Sequence, residues 1–117
     1  AFPGLELKSA ARRTAATMRL ARASAIRRGS ESVLLVDLAR HRLELSGYHS
    51  LTLPEGVALK LETASRELVD DQRGLIRFYP DGSSSGGRII LSRGNLGYQI
   101  GVTWLTGRIE LPPWEGV

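Results

Sequence analysis

A run of small residues, Gly82-Ser83-Ser84-Ser85-Gly86, matches the G-x-S-x-G pattern that presents a nucleophilic serine in many hydrolases. In that pattern Ser84 would lie on a sharp turn between a strand and a helix, with an acidic residue and then a histidine later in the chain. Both histidines, His41 and His49, precede the serine, and residues 88–91 have the β-branched, apolar character of a strand. We therefore predict no serine nucleophile.

The same segment has the glycine spacing of a phosphate-binding loop, since four residues separate Gly82 from Gly87. A P-loop continues with Lys and then Ser or Thr, whereas this chain has Arg88 and Ile89, so no side chain there can bind the magnesium ion. We interpret residues 80–87 as the exposed tip of a hairpin. Proline presets φ, Asp-Gly turns the chain, and Ser and Gly supply backbone freedom.

The remaining polar residues lack the spacing of a metal or catalytic site. His41 and His49 could meet across neighbouring strands, but no third ligand is placed beside them, and we predict surface histidines. Asp70-Asp71, with Glu67 nearby, lacks the patterned oxygen ligands of a calcium loop and is interpreted as a solvated turn. The chain has no cysteine, which excludes disulfides, thiolate catalysis and cysteine-based zinc sites. We predict no catalytic residue, no metal and no cofactor.

Tyr98 and Trp104 lie at an even spacing in one predicted strand, so both side chains face the same side of it. Aromatic residues beside basic ones can stack on single-stranded nucleic acid. Strands with one buried face usually place such residues in the core, and we expect core packing here. Trp114 follows the double proline near the end of the chain.

One long helix precedes all of these residues. From Leu5 to about Arg28 the chain has no Gly or Pro and is rich in Ala, Arg and Leu, which favours a helix that stops at Gly29. Spacings of three and four define a small-residue apolar stripe that can pack closely on a sheet. The stripe comprises Leu7, Ala11, Thr14, Met18, Ala21 and Ala25.

Short strands follow the helix, with turn signals every eight to twelve residues. They are predicted at 33–36, 41–45, 51–53, 57–62, 75–79, 88–91, 98–105 and 108–111. The first two flank residues 37–40 as a hairpin, and 75–79 and 88–91 form the arms of the hairpin around the Ser/Gly segment. This order predicts an α+β fold in which the helix packs on antiparallel sheets.

Length and composition fit a single globular domain. The 117 residues can bury one core, and the 42% hydrophobic and 24% charged fractions are ordinary for such domains. No run approaches the roughly eighteen consecutive apolar residues that span a bilayer, and the first residues do not form a signal peptide.

Positive charge is concentrated in the helix. Residues 1–28 contain seven basic residues and one acidic residue, a local charge of +6, although the whole chain carries only +4. Lys8, Arg12, Arg19 and Arg22 form a stripe about 100° around from the apolar one. This stripe is either a solvated flank or a contact for an acidic partner or for phosphate.

Three sequence blocks together resemble a known family. They are the Arg- and Ala-rich helix from Ala10 to Ala25, Val36-Asp37 with the later Phe78 to Gly87 segment, and Val102-Thr103-Trp104-Leu105-Thr106-Gly107-Arg108. Over nearly its whole length the chain resembles the soluble part of an H-type minor pseudopilin of the bacterial type II secretion system. The FimT-like type IV pilins are similar. The second and third blocks are the specific ones.

The resemblance implies an N-terminal helix (about 5–28) packed on two antiparallel β-sheets (32–111), in a single periplasmic domain spanning residues 1–117. Members of that family carry a cleaved leader and a hydrophobic segment that anchors them in the inner membrane. We expect this upstream segment to be absent from the present chain.

The implied role is non-enzymatic. It is that of a subunit that joins the other minor pseudopilins and the major pseudopilin near the tip of the pseudopilus, in protein export. Candidate partner contacts are Lys8, Arg12, Arg19, Arg22, Asp81, Gly82 and Ser84.

The alternative is a FimT-like pilin that binds DNA through basic residues. Relatives of that kind carry a C-terminal G-R-x-R motif, whereas here Glu110 follows Gly107-Arg108-Ile109 in place of the second arginine, and Glu115 adds a further acidic residue. We therefore do not expect nucleic acid as the partner. The helix arginines could still give a salt-sensitive, non-specific phosphate contact.

Overall fold

The computed structural model describes residues 2–45 and 49–112, which form one helix, eight strands and a short 3₁₀ turn. Helix α1 spans Pro3–Arg28, and the 3₁₀ turn spans Ser65–Glu67. The strands are β1 Ser32–Asp37, β2 Arg42–Leu45, β3 His49–Thr52, β4 Ala58–Glu62, β5 Arg73–Phe78, β6 Gly87–Arg93, β7 Leu96–Val102 and β8 Ile109–Glu110. Within the described part of the chain, no helix is long and apolar enough to cross a membrane.

The ends of α1 follow from its sequence. Pro3 opens the helix, where the missing N–H costs nothing, and Glu6 lies in the first turn near the positive end of the helix dipole. Arg27 and Arg28 lie in the last turn, and Gly29 ends the helix in the left-handed conformation, with φ of 65°. The predicted helix and its stop are confirmed.

The predicted apolar stripe of α1 is buried throughout. Additional small residues widen it, so that its buried members are Leu7, Ala10, Ala11, Thr14, Ala15, Thr17, Met18, Ala21, Ser24 and Ala25. Thr14 Oγ1 donates to the carbonyl oxygen of Ala10 at 2.8 Å, and Thr17 Oγ1 donates to that of Arg13 at 2.9 Å. The two threonine hydroxyls on this face therefore donate to carbonyl oxygens of the helix itself.

The strands form two four-stranded antiparallel sheets, in the orders β3-β2-β1-β5 and β4-β6-β7-β8. Helix α1 contacts strands of both sheets. The core consists of the helix stripe and one face of each sheet, with Leu34, Leu43 and Phe78 from the first sheet and Ile89 and Ile100 from the second. The predicted α+β fold with two antiparallel sheets is confirmed, as is the β1–β2 hairpin.

The hairpin predicted around the Ser/Gly segment is wrong. Strand β5 pairs with β1 along six residues, from Ser32 opposite Phe78 to Asp37 opposite Arg73, whereas β6 lies in the second sheet between β4 and β7. The segment therefore crosses from one sheet to the other. Turn residues show that the chain bends, but burial against distant strands decides which strand each arm joins.

Trp104 does not lie in a strand or in the core, contrary to our expectation. Strand β7 ends at Val102, and residues 103–106 turn the chain towards β8. Trp104 is 65% exposed, whereas Tyr98 is partly buried against the core as expected. Trp114 lies outside the described residues.

Candidate functional site

Arg22 joins the end of the helix to two loops. Its Nε lies 3.0 Å from the carbonyl oxygen of Gly82 and 3.1 Å from that of Thr106, so one N–H is shared between two acceptors. Gly82 belongs to the loop between β5 and β6, and Thr106 to the turn between β7 and β8. One arginine side chain thus fixes a loop that leaves the first sheet and a turn that belongs to the second.

The serines of the Ser/Gly segment bond to backbone groups. Ser84 Oγ donates to the carbonyl oxygen of Arg77 at 2.7 Å and accepts from the N–H of Gly86 at 3.0 Å, while Ser85 Oγ accepts from the N–H of Arg77 at 2.9 Å. These hydroxyls bond to backbone groups at the point where the chain leaves β5 and crosses to the second sheet. Serine is favoured there because its hydroxyl can replace the hydrogen bonds that a neighbouring strand would supply. The hydroxyl of Ser84 is already committed to two backbone partners.

The segment is also less exposed than predicted. Ser84 is only 4% exposed and Gly82 is buried, so of the three partner-contact candidates here Asp81 alone presents its side chain to solvent. Asp81 Oδ1 accepts from the N–H and the hydroxyl of Ser83, at 2.9 and 2.6 Å. Both bonds lower the pKa of Asp81 below its ordinary value, and the bond from the Ser83 hydroxyl has the larger effect. A contact between any of the three and a neighbouring protein stays a prediction.

The turn that carries Trp104 is held by backbone hydrogen bonds. The N–H of Thr103 donates to the carbonyl oxygen of Arg108 at 3.0 Å, and that of Gly107 donates to the carbonyl oxygen of Thr103 at 2.7 Å. The carbonyl oxygen of Trp104 accepts from the N–H of Ser84 at 2.8 Å. The turn is therefore fixed both internally and against the Ser/Gly segment, although its side chains project into solvent.

A surface groove of about 700 Å³ runs between the last part of α1 and this turn. Its lining residues are Arg19, Arg22, Ala23, Thr106, Arg108 and Ile109. Three large apolar side chains on the adjoining helix and turn are exposed, namely Ile26 (46%), Trp104 (65%) and Leu105 (65%). We call the set Arg19, Arg22, Ile26, Trp104, Leu105 and Arg108 the Trp104 surface.

The predicted basic stripe separates into two parts. Lys8 and Arg12 are exposed along the first half of α1, beside a smaller depression of about 420 Å³ that is lined by residues of that helix alone. Arg19 and Arg22 instead face the groove, where the turn after β7 supplies Arg108. Sequence periodicity identified the helix residues but could not show that Arg108, far later in the chain, lies beside them.

The acidic residues near β5 have structural partners. Arg77 donates from Nε and Nη2 to the two oxygens of Glu67, at 3.0 and 3.2 Å, and from Nη1 to Glu31 at 2.9 Å. Donation to Glu67, reinforced by Glu31, raises the pKa of Arg77. Glu67 is only 5% exposed, so the prediction that it belongs to a solvated turn is wrong. No signal in the sequence pairs Glu67 with Arg77.

Asp70 and Asp71 are exposed, as predicted. Asp70 accepts from Arg73 at 2.8–2.9 Å, and this bond is the main cause of the lowered pKa of Asp70. The histidines have unrelated neighbours, since His41 Nε2 lies 3.1 Å from the carbonyl oxygen of Pro54 and His49 Nε2 lies 3.4 Å from Thr17 Oγ1. In residues 2–45 and 49–112, no group of three His, Asp or Glu side chains could hold a metal.

A long N-terminal helix packed on two antiparallel four-stranded sheets is the architecture of a pilin-like domain. The family model described as "Type II transport protein GspH" matches residues 10–107. The chain therefore belongs to the GspH family of type II transport proteins, in agreement with the resemblance seen in its sequence.

Known proteins agree with this assignment. The chain is 33% identical over 110 residues to the type II secretion system protein H of Xanthomonas campestris pv. campestris. That match covers 94% of the chain but only 65% of the relative's length.

Solved structures show the same fold. The minor pseudopilin EpsH from the type 2 secretion system of Vibrio cholerae superposes with a TM-score of 0.73 at 16% identity, over 92% of this chain and 96% of that one. The type IV minor pilin FimU of Pseudomonas aeruginosa gives 0.70 at 18% identity, over 92% and 89%.

Proposed function

We propose that this chain is the periplasmic domain of a minor pseudopilin, a structural subunit of the type II secretion pseudopilus that acts near its tip and catalyses no reaction. The observation that carries the proposal is the family match over residues 10–107. The relative from Xanthomonas campestris, which is named as a type II secretion protein, and the fold of EpsH support it.

The chemistry of the described side chains supports a structural role. The groups with shifted pKa values are Asp70, Arg73, Arg77 and Asp81, and each shift arises from hydrogen bonds that hold a turn or join two elements. The groove between α1 and the turn after β7 is lined by three arginines together with Ala23, Thr106 and Ile109, and arginine is enriched at protein–protein interfaces.

In this role the domain is anchored in the bacterial inner membrane by a hydrophobic segment ahead of α1, and its partners are the other minor pseudopilins and the major pseudopilin. Helix α1 would continue upstream into that segment, with Lys8 and Arg12 on its exposed side. About twenty apolar residues are needed to span the bilayer. Mass spectrometry of the mature protein from membranes tests this arrangement, because a mature chain without such a segment would contradict it.

Gene deletion tests the function itself. In a strain that lacks this gene, we expect export of a type II substrate enzyme into the medium to fail, and the wild-type gene to restore it. Export that is unchanged in the deletion strain, together with a loss of DNA uptake, would contradict the proposal and favour the pilin alternative.

A further inference from the structure

Trp104 and Leu105 are exposed on a turn that cannot easily bend away. Both side chains are 65% exposed, although hydrogen bonds hold the turn internally and tie it to the Ser/Gly segment. An exposed tryptophan on a fixed backbone contributes strongly to binding, because it buries a large area and has few rotatable bonds to order when a partner docks. This turn has the properties of an anchor point for another protein.

The helix presents a matching face beside the turn. Arg19, Arg22, Ala23 and Ile26 are spaced at i, i+3, i+4 and i+7, so they share one side of α1, which borders the groove. Of the two apolar residues that line the groove with the arginines, Ala23 is exposed and Ile109 is almost fully buried. The groove therefore combines guanidinium groups with a small apolar surface at Ala23.

The charge of the groove selects an acidic occupant. Arg19, Arg22 and Arg108 contribute three positive charges, and Glu110 lies near Arg108 at 3.7 Å between Nε and Oε1, with both side chains mostly exposed. Among the described residues, Arg19 has no ion-pair partner. The cationic surplus favours carboxylates that can accept from guanidinium groups.

We propose that the Trp104 surface docks a segment of a neighbouring pseudopilin in which carboxylate side chains flank an apolar one. The apolar side chain would pack on Trp104 and Leu105, and the carboxylates would accept from Arg19 and Arg108. Protein is favoured over nucleic acid because the apolar side chains occupy much of the surface and Glu110 would repel a continuous phosphate chain. This inference rests on the function proposed above, since it names one contact of that assembly.

Site-specific crosslinking in the native bacterium tests the contact with the full gene product. A photoreactive p-benzoylphenylalanine replaces Trp104 in one strain and the exposed Leu68, on the loop before β5, in a matched control. We expect position 104 to give an adduct with another pseudopilin, and mass spectrometry to place the linked peptide next to Asp or Glu. Position 68 should give no such adduct. An adduct at position 68 alone, or an adduct of position 104 with DNA, would overturn the inference.

Charge reversal tests the arginines in the same strain. Arg108→Glu and Arg19→Glu should each lower the yield of the position-104 adduct about tenfold or more, as for hot-spot residues. Lys60→Glu is the control. It reverses an exposed charge on β4, which lies at the opposite edge of the second sheet from β8, and it should leave the adduct yield unchanged. Circular dichroism of the purified variants checks that they remain folded.

The partner residue provides a further check. The Asp or Glu of the partner protein that the crosslink identifies is replaced by Arg. In the Arg108→Glu strain this change should restore the yield of the position-104 adduct, because opposite charges would again face each other. Equal yields in the wild-type and Arg108→Glu strains would overturn the inference even if secretion still required the gene. Secretion that does not require the gene would instead contradict the proposed function.

Discussion

The carbonyl oxygen of Gly82 occupies the space that a side chain at Gly107 would need. Gly107 has φ of 70°, and a Cβ built there would overlap that oxygen and approach Arg22 Nε at 2.9 Å. The loop that crosses between the sheets and the turn after β7 therefore meet backbone to backbone. Only glycine permits this approach.

Replacing this glycine should disrupt the contact. Gly107→Ala adds left-handed backbone strain and a clash with Gly82, and we expect it to lower the free energy of unfolding by roughly 3 kcal/mol or more. Gly94→Ala is the matched control, because Gly94 has a similar φ of 61° with open space around it, and should cost only about 1 kcal/mol. Denaturant unfolding measures both, and equal losses would show that the close approach is unimportant.

Arg22 should stabilise the domain more than its neighbour Arg19. Arg22→Met keeps most of the side-chain packing but leaves two carbonyl oxygens, those of Gly82 and Thr106, without their shared donor. We expect a loss of about 1–2 kcal/mol. Arg19→Met, on the exposed side of the same helix, should change stability by no more than about 0.5 kcal/mol. Thermal melts of the two variants, compared at one pH, decide between these outcomes.

The two carboxylates that accept from Arg77 should contribute unequally. Glu67 is buried and accepts two hydrogen bonds, whereas Glu31 has a half-exposed side chain. Glu67→Gln should therefore cost about 2 kcal/mol, and Glu31→Gln less than about 1 kcal/mol, because solvent screens an exposed pair. The comparison is made by urea unfolding, and a larger loss for Glu31→Gln would contradict the assignment of Glu67 as the main partner.

Ser83 should control the titration of Asp81. The hydroxyl of Ser83 is the first cause of the lowered pKa of Asp81, so Ser83→Ala should move that pKa upward, towards the ordinary value of 3.8. Because the pKa in the folded state is depressed, the bond stabilises the protein above the unfolded-state pKa, and this contribution is lost as the pH falls through the folded-state pKa. Titration of the Asp81 carboxyl carbon by NMR measures the shift, and an unchanged pKa in Ser83→Ala would disprove the link.

Local patterns predicted the local elements of the fold. The spacing of Leu7, Met18 and Ala25 defined the buried face of α1, and Gly29 marked its end, because both signals lie within the helix itself. The β1–β2 hairpin was also predicted, since its strands are separated by only a short turn. The family resemblance added the division into two sheets.

Non-local contacts escaped prediction. The pairing of β5 with β1, the burial of Glu67 against Arg77 and the exposure of Trp104 each depend on residues distant in sequence. For the candidate site, the helix arginines were visible from their periodicity. Their groove was not, because its other wall comes from the turn after β7.

The single N–H of Arg22 that serves two loops has a mechanical consequence. One acceptor lies on the crossing out of the first sheet and the other on a turn of the second, so a force along α1 reaches both sheets at the same point. Movement of either connection away from the helix would break one of these two bonds. The last part of α1, the crossing between the sheets and the turn after β7 are therefore coupled through one side chain, and displacement of any one of them is opposed by a bond to another.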